Sequence, residues 1–137
     1  MEVDLALLAD AATIDGSGKL NTLGIFDRIG TGSFPARHPR MVLILRFSAT
    51  LNETGRHDIG ISLKAPDGAE LVRVDGEMQL RPGPGGIPGM IRVPHVLNLD
   101  GLVFPKPGPY AFDVWVDGEH HVSLPLTVYG PETTAEA

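Results

Sequence analysis

The sequence predicts an all-β protein, built as a single antiparallel two-sheet β-sandwich of about eight strands, either immunoglobulin-like or C2/jelly-roll-like. Three observations indicate this fold. Short apolar runs, many of them alternating with polar residues, recur at intervals of about ten residues, as in sandwiches of short antiparallel strands. The 17 glycines and 12 prolines cluster between those runs, where they are typical of turns. No run has the length and period that would indicate a helix with equal clarity.

The clearest element is a hairpin within residues 104–129. Asp117-Gly118 is a favoured turn pair, because both central residues of a type I′ turn need positive φ. Apolar residues share one face on either side of the turn: Tyr110, Phe112, Val114 and Val116 before it, and Val122, Leu124, Leu126 and Val128 after it. A hairpin alone is at best marginally stable in water, so a second layer must cover this face. Tyr110 is expected at the strand corner, with its hydroxyl free to bond to backbone.

The other strands are predicted from the same kind of pattern, at residues 2–14, 19–29, 41–51, 57–64, 71–80 and 91–99. The first run is rich in Ala and Leu, so a helix is its alternative. The run at 41–51 is the most apolar and fits a central strand buried on both faces. The run at 57–64 alternates cleanly and should have one wet face. Pro94 places the last of these strands at an edge or a bulge.

Two segments are predicted to be connections. Residues 30–40 hold two prolines and two glycines, which exclude regular structure there. Residues 81–90 form a low-complexity Gly/Pro segment that reads as a crossover or an exposed loop. Residues 1–129 are then one sandwich domain, and the polar residues 130–137 are predicted to be a disordered tail.

Charge and composition exclude several classes of function for this protein. The formal net charge is −6, and no dense basic tract is present, whereas a nucleic-acid binder normally has a basic footprint. The chain has no cysteine, which excludes disulfides, Cys-ligated zinc and thiol nucleophiles. Residues 1–10 lack the basic region of a signal peptide, and no run of 18 apolar residues occurs. We therefore expect a cytoplasmic protein that binds neither nucleic acid nor membranes.

The sequence contains no complete catalytic or phosphate-binding motif. Gly16-Ser17-Gly18-Lys19 hints at a phosphate loop, but Thr13 stands where that pattern needs glycine, and Leu20 follows the lysine. No Gly-x-Ser-x-Gly elbow appears, so no Ser-His-acid triad is indicated. We expect no enzyme activity and no cofactor.

Metal-binding patterns are equally weak. His120-His121 are neighbours on a strand and should point to opposite faces, and the other histidines are isolated in sequence. A site assembled from distant strands is the less favoured alternative. Acidic loops for calcium could involve Asp67 with Glu70, or Asp117 with Glu119, but turn chemistry explains each aspartate.

Two features are candidates for binding. Trp115 has the opposite parity from the inward apolar residues of its strand and should face outward, as an interface anchor. The alternative is that the parity is misassigned and Trp115 lies in the core. The loop at 30–40 combines apolar and basic groups suited to recognition, and these are Phe34, Arg37, His38 and Arg40. The alternative there is a solvated loop whose phenylalanine enters the core.

The leading function is a non-enzymatic binding or structural module that acts through protein-protein contacts, with self-association as one form. The alternative is a small-ligand or metal-binding sandwich, with a hydrolytic enzyme as a third class.

Several stretches resemble a family of uncharacterised bacterial and phage proteins described only as a domain of unknown function. They are residues 3–10, 18–21, 23–29, Phe34-Pro35, His38-Pro39, Arg46-Phe47, Asn98-Leu99, Leu102, Phe104-Pro105, Gly108, Tyr110 and residues 123–126. The resemblance covers nearly the whole chain before residue 130. It implies a β-sandwich and brings no activity, cofactor or catalytic residue.

Overall fold

A computed structural model of the protein describes residues 1–81 and 89–131. This part of the chain consists of eleven strands and one short 3₁₀ turn. The strands are β1 (Glu2–Ile14), β2 (Leu20–Phe26), β3 (Arg28–Gly30), β4 (Ala36–His38), β5 (Val42–Thr50), β6 (Gly55–Lys64), β7 (Glu70–Leu80), β8 (Met90–Asn98), β9 (Leu102–Phe104), β10 (Gly108–Val116) and β11 (Glu119–Tyr129). The 3₁₀ turn covers Leu51–Glu53.

The strands form two main sheets and a short pair. The four-stranded sheet has the order β2-β1-β5-β8, the five-stranded sheet has the order β3-β11-β10-β6-β7, and β4 pairs with β9. All pairs are antiparallel except β3 with β11, which run parallel. The predicted all-β sandwich is confirmed, with one parallel pair that the sequence did not indicate.

The described part has eleven strands rather than about eight because three short ones were not predicted. The predicted strand 19–29 is divided at Asp27 into β2 and β3, which belong to different sheets. The prediction that residues 30–40 lack regular structure is wrong, since β4 pairs with β9. Pro35 and Pro39 flank this three-residue strand and do not interrupt it. The predicted loop at 81–90 and tail at 130–137 fall mostly on residues 82–88 and 132–137, which lie outside the described residues.

The hairpin around Asp117-Gly118 is confirmed as β10 and β11. Asp117 and Gly118 have φ of 51° and 81°, as a type I′ turn requires. The predicted inward residues of β10 are all buried, and they form the main core with β5 and the inner face of β6. The Tyr110 hydroxyl donates a hydrogen bond of 2.6 Å to the carbonyl of Lys106, which ties the preceding loop to the strand.

Strand β5 is buried on both faces, as predicted. It lies between β1 and β8, and its residues Leu43, Ile44 and Leu45 have 0% exposure. Leu43 and Leu45 face the main core, whereas Ile44 belongs to a second apolar cluster with Ala9 and Val42 on the outer face of the sheet. Something other than the second sheet must therefore cover that outer face.

The cover comes from the far end of the β1–β2 hairpin, residues 11–23, which we call the arm. Ala12 and Leu20 of the arm pack on the outer cluster that contains Ala9. In a straight strand Ala9 and Ala12 would point to opposite faces. The hairpin must therefore bend between them, so that the arm folds back over its own sheet.

Gly24 accounts for the position of the bend. Its φ is +73°, in the left-handed region that favours glycine. The pairing of Ala9 with Ile25 and of Ala11 with Leu23 places Asp10 opposite Gly24. A Cβ at Gly24 would overlap the Asp10 carboxylate and lie 2.8 Å from its Cγ. The bend therefore depends on glycine for both conformation and space.

The prediction for Pro94 agrees with the structure, whereas one face of β6 is drier than predicted. Strand β8, which contains Pro94, is an edge strand. On β6 the predicted wet face is exposed at Asp58, whereas Gly60 and Ser62 on the same face are buried. Long side chains from the neighbouring strands cover that part of β6.

Candidate functional site

The outer face of the five-stranded sheet carries a cluster around Trp115. The alternation of β10 buries Val114 and Val116 and leaves Trp115 half-buried on the other face. Trp115 thus has the outward parity that the sequence predicts. Its neighbour across the ladder on β6 is Gly60, which has no side chain to cover the indole.

Arg73 fills the space above Gly60. A Cβ on Gly60 would lie 2.9 Å from Nη2 of Arg73. The guanidinium crosses β6 from β7 and lies 4.9 Å from the centre of the Trp115 ring, within cation–π range. Asp75 holds it there through a 3.0 Å contact between its Oδ1 and Nε. This ion pair is the main reason that the pKa of Arg73 is raised.

The indole has two further neighbours. The His120 ring lies edge-on at 5.5 Å between centroids, and its Nε2 is 3.0 Å from Oδ1 of Asp113. Nζ of Lys64 lies 6.0 Å from the Trp115 ring centre. The side-chain oxygen of Ser62, beneath this layer, is buried and has no hydrogen-bond partner within the described part of the chain. The cluster thus contains an aromatic ring together with positively and negatively charged side chains, a composition found at protein interfaces. These neighbouring side chains already cover part of the indole surface.

The binding residues predicted in the 30–40 loop differ in burial and in the residues that they contact. Phe34 packs against the main core, and its ring would clash with a Cβ on Gly130. His38 is half-buried with its ring centroid 6.0 Å from that of Phe26. Arg37 is exposed and lies over Gly101, and the remaining candidate, Arg40, is exposed beyond the strand. The packing of Phe34 agrees with the alternative prediction, in which this residue enters the core.

One edge of β2, which pairs with no other strand of the described chain, carries exposed apolar residues that the sequence did not indicate as a site. Leu23 and Ile25 have 72% and 61% of their surface exposed, the highest values among the large hydrophobic residues of the described chain. They lie on one face of β2, opposite Ala11 and Ala9 of β1. Leu20 of the same strand packs on the outer cluster, whereas Leu23 and Ile25 lie in solvent.

A histidine–carboxylate pair closes one end of the five-stranded sheet. Nδ1 of His57 lies 2.6 Å from Oδ2 of Asp117, and Nε2 lies 2.6 Å from the carbonyl oxygen of Glu53. These bonds, the one to Asp117 first, raise the pKa of His57. The same pair and the amide of Asp58 lower the pKa of Asp117.

The acidic turns considered for calcium are not brought together. Asp117 lies beside the beginning of β6, whereas Asp67 follows its end and pairs with Lys106 at 3.1 Å. Across residues 1–81 and 89–131, no group of three or more His, Cys, Asp or Glu side chains is placed to hold a metal ion. In the same ranges no helix is long and apolar enough to cross a membrane.

A small apolar cleft of about 120 Å³ lies between the edge strands β7 and β8. Phe47, Ile61, Met78 and Val93 contribute to its walls, together with the ring of His95. Burial of the imidazole lowers the pKa of His95, so that the neutral form prevails at neutral pH. The cleft is smaller than the ligand pockets of most proteins.

Sequence reasoning did not identify contacts between side chains that lie on different strands. The side chain of Arg73 reaches Trp115 only because β6 separates β7 from β10 and carries glycine at the crossing point. The exposure of Leu23 and Ile25 was not predicted either. Their apolar spacing along β2 was visible, but the same spacing is typical of buried strands.

The fold and these surfaces define an all-β sandwich domain with a bent hairpin arm and an aromatic, charged outer face. The chain matches the model of a family of unknown function (DUF6941) over residues 4–129, and it belongs to that family. A comparison with the curated proteins finds no match.

Proposed function

We propose that the protein is a non-enzymatic module that works through protein contacts, and that the free edge of β2 pairs with a second copy of the chain. The observation that carries this proposal is the exposure of Leu23 and Ile25, at 72% and 61%. Both residues lie on a strand whose only ladder partner in the described chain is β1. An exposed apolar edge strand is a template for pairing with another chain.

The charge pattern of β2 supports pairing between two copies. Edge strands are commonly protected by charged side chains, but Leu20–Phe26 contains none. Lys19 and Asp27 flank this uncharged segment at its two ends. Antiparallel pairing of two β2 strands brings the lysine end of one copy to the aspartate end of the other, whereas parallel pairing would bring like charges together. The antiparallel arrangement also has the two-fold symmetry of most homodimers.

Sedimentation of the purified protein over a range of concentrations tests the proposal. We expect the parent protein to form dimers as the concentration rises. Leu23→Lys places a charge at the centre of the edge and should shift the dissociation constant upward by about tenfold or more, since one mispaired charge costs over about 1.4 kcal/mol. At concentrations low enough for the parent to be monomeric, the two proteins should have the same melting temperature, because Leu23 is mostly exposed in the single chain and only dimer formation adds stability.

Val103→Lys is the matched control, because Val103 is an exposed apolar residue of β9 with 51% of its surface in solvent. It should leave the dimer intact. A parent protein that sediments as a monomer at all concentrations, or a Leu23→Lys variant that dimerises normally, would overturn the proposal.

The cluster around Trp115 supports a second contact surface, because Trp and Arg are enriched at interface hot spots. Trp115→Ala in the same sedimentation experiment separates the two surfaces. If Trp115→Ala abolishes the dimer and Leu23→Lys does not, the contact lies on the five-stranded sheet instead.

A further inference from the structure

A groove separates the arm from the outer face of the four-stranded sheet. Its volume is about 590 Å³, within the range of small-ligand pockets. Leu5, Leu7 and Pro94 contribute its apolar side on the sheet, and Leu20 lies across from them on the arm. The bend at Gly24 creates this groove, since an arm continuing straight from the sheet would not face these residues.

Positive charge is concentrated in the same groove. Arg46, Arg92 and Lys19 all line it. Asp4 is shared by the two arginines, with its Oδ1 at 2.8 Å from Nε of Arg46 and its Oδ2 at 3.4 Å from Nε of Arg92. Lys19 has no ion-pair partner in the described part of the chain. The groove therefore has three positively charged side chains and one paired carboxylate, although the net charge of the protein is −6.

The guanidinium groups remain available to a ligand. The side chains of Arg46 and Arg92 are 36% and 48% exposed, and each guanidinium has five N–H donors, of which Asp4 engages only some. Arginine binds carboxylates and phosphates through paired hydrogen bonds. The apolar residues beside them can take a hydrocarbon segment, and among the lining residues Thr22 has the only uncharged polar side chain.

We propose that this groove binds a small amphipathic anion, whose carboxylate or phosphate head lies against Arg46 and Arg92 and whose hydrocarbon part lies between Leu5, Leu7 and Leu20. The proposal is independent of the pairing of β2. It assigns the ligand by chemistry: an anionic head and an apolar tail are both required.

Titration of the protein with octanoate and with octyl phosphate, followed by NMR of the leucine methyl groups, tests this directly. We expect both ligands, below the concentration at which they form micelles, to shift the methyl signals of Leu5, Leu7 and Leu20. Octanol lacks the charge and inorganic phosphate lacks the tail, so each should bind at least about tenfold more weakly, corresponding to the loss of one charged hydrogen bond or of the buried chain. Comparison of the two anions shows which head group the site prefers.

Arg92→Gln should weaken octanoate binding by about tenfold or more. Arg56→Gln is the control, because Arg56 is an exposed (63%), ion-paired arginine on the opposite sheet, and it should leave the affinity unchanged. If Arg92→Gln lowers the melting temperature, Lys19→Gln on the exposed arm provides the second variant. Octanol binding as tight as octanoate binding, equal effects of the two arginine variants, or unshifted leucine methyls would overturn the proposal.

Discussion

At the scale of single residues, His57 is placed between two hydrogen-bond acceptors. A neutral imidazole can donate from only one of its nitrogens, whereas the imidazolium donates from both. The contacts with Asp117 and with the Glu53 carbonyl therefore favour the charged ring, in agreement with the raised pKa. The turn at Asp117-Gly118 is tied to the beginning of β6 by this arrangement and by the amide of Asp58.

The stability of the protein should depend on pH through this pair. Because the pKa of His57 is raised on folding, its contribution is complete below its unfolded pKa of about 6.5 and is lost as pH rises through the higher folded value. Because the pKa of Asp117 is lowered, its contribution is present above its unfolded pKa, about 3.9, and is lost as pH falls through the lower folded value. The pair therefore stabilises most between about pH 4 and pH 6.5.

Urea unfolding of the parent and of His57→Gln at about pH 5.5 and about pH 8.5 measures this contribution. The difference in free energy of unfolding between the two proteins should be larger at the lower pH. His38→Gln is the control, since His38 makes a ring contact and no ion pair in the described chain. A difference that is the same at both pH values would rule out the charged pair.

At the scale of single elements, the β1–β2 hairpin is defined by its bend. Gly24 combines a positive φ with the close approach of the Asp10 carboxylate. A residue with a side chain is disfavoured there by about 1–2 kcal/mol for its conformation alone. Displacement of Asp10 adds a further cost.

Gly24→Ala should therefore destabilise the protein by about 1–3 kcal/mol in urea unfolding. Gly68→Ala is the matched control, because Gly68 has φ of +89° and open space around it, so it reports the conformational cost alone. The larger loss is expected at Gly24, and the excess should diminish in an Asp10→Ala background. Equal losses at the two glycines would show that Asp10 does not constrain the bend.

The elements differ in how far sequence reasoning could describe them. The hairpin of β10 and β11 follows from local information, because Asp117-Gly118 and the alternation around it determine the turn and the buried face. The bend of the β1–β2 hairpin does not, since Gly24 lies in a run that alternates normally. The packing of Ala12 and Leu20 on distant Val42 and Ile44 favours the bent form, and such contacts cannot be predicted from local sequence.

At the scale of the whole molecule, surfaces that are formed by several strands are also only partly predictable from the sequence. Parity along β10 is enough to predict an outward Trp115. The covering of its ring by Arg73 required the strand order β10-β6-β7, which the sequence does not reveal. The groove beside Arg46 and Arg92 likewise exists only after the arm has folded back. Burial on both faces of β5 was predictable from its apolar run, but the layer covering its outer face was not.

The folded-back arm also implies that the protein does not open all at once. The arm is held to the sheet by a small apolar cluster, whereas β5 and β10 lie in the main core. Segments with fewer buried contacts exchange their amide hydrogens through partial opening, at a lower free energy than global unfolding. Native-state hydrogen exchange should therefore show the β2 amides that bond to β1 exchanging well before those of β5 and β10. Uniform protection across these strands would contradict it. During each such opening Val42 and Ile44 lose their cover, so the protein transiently displays a second apolar sheet face while its main core remains intact.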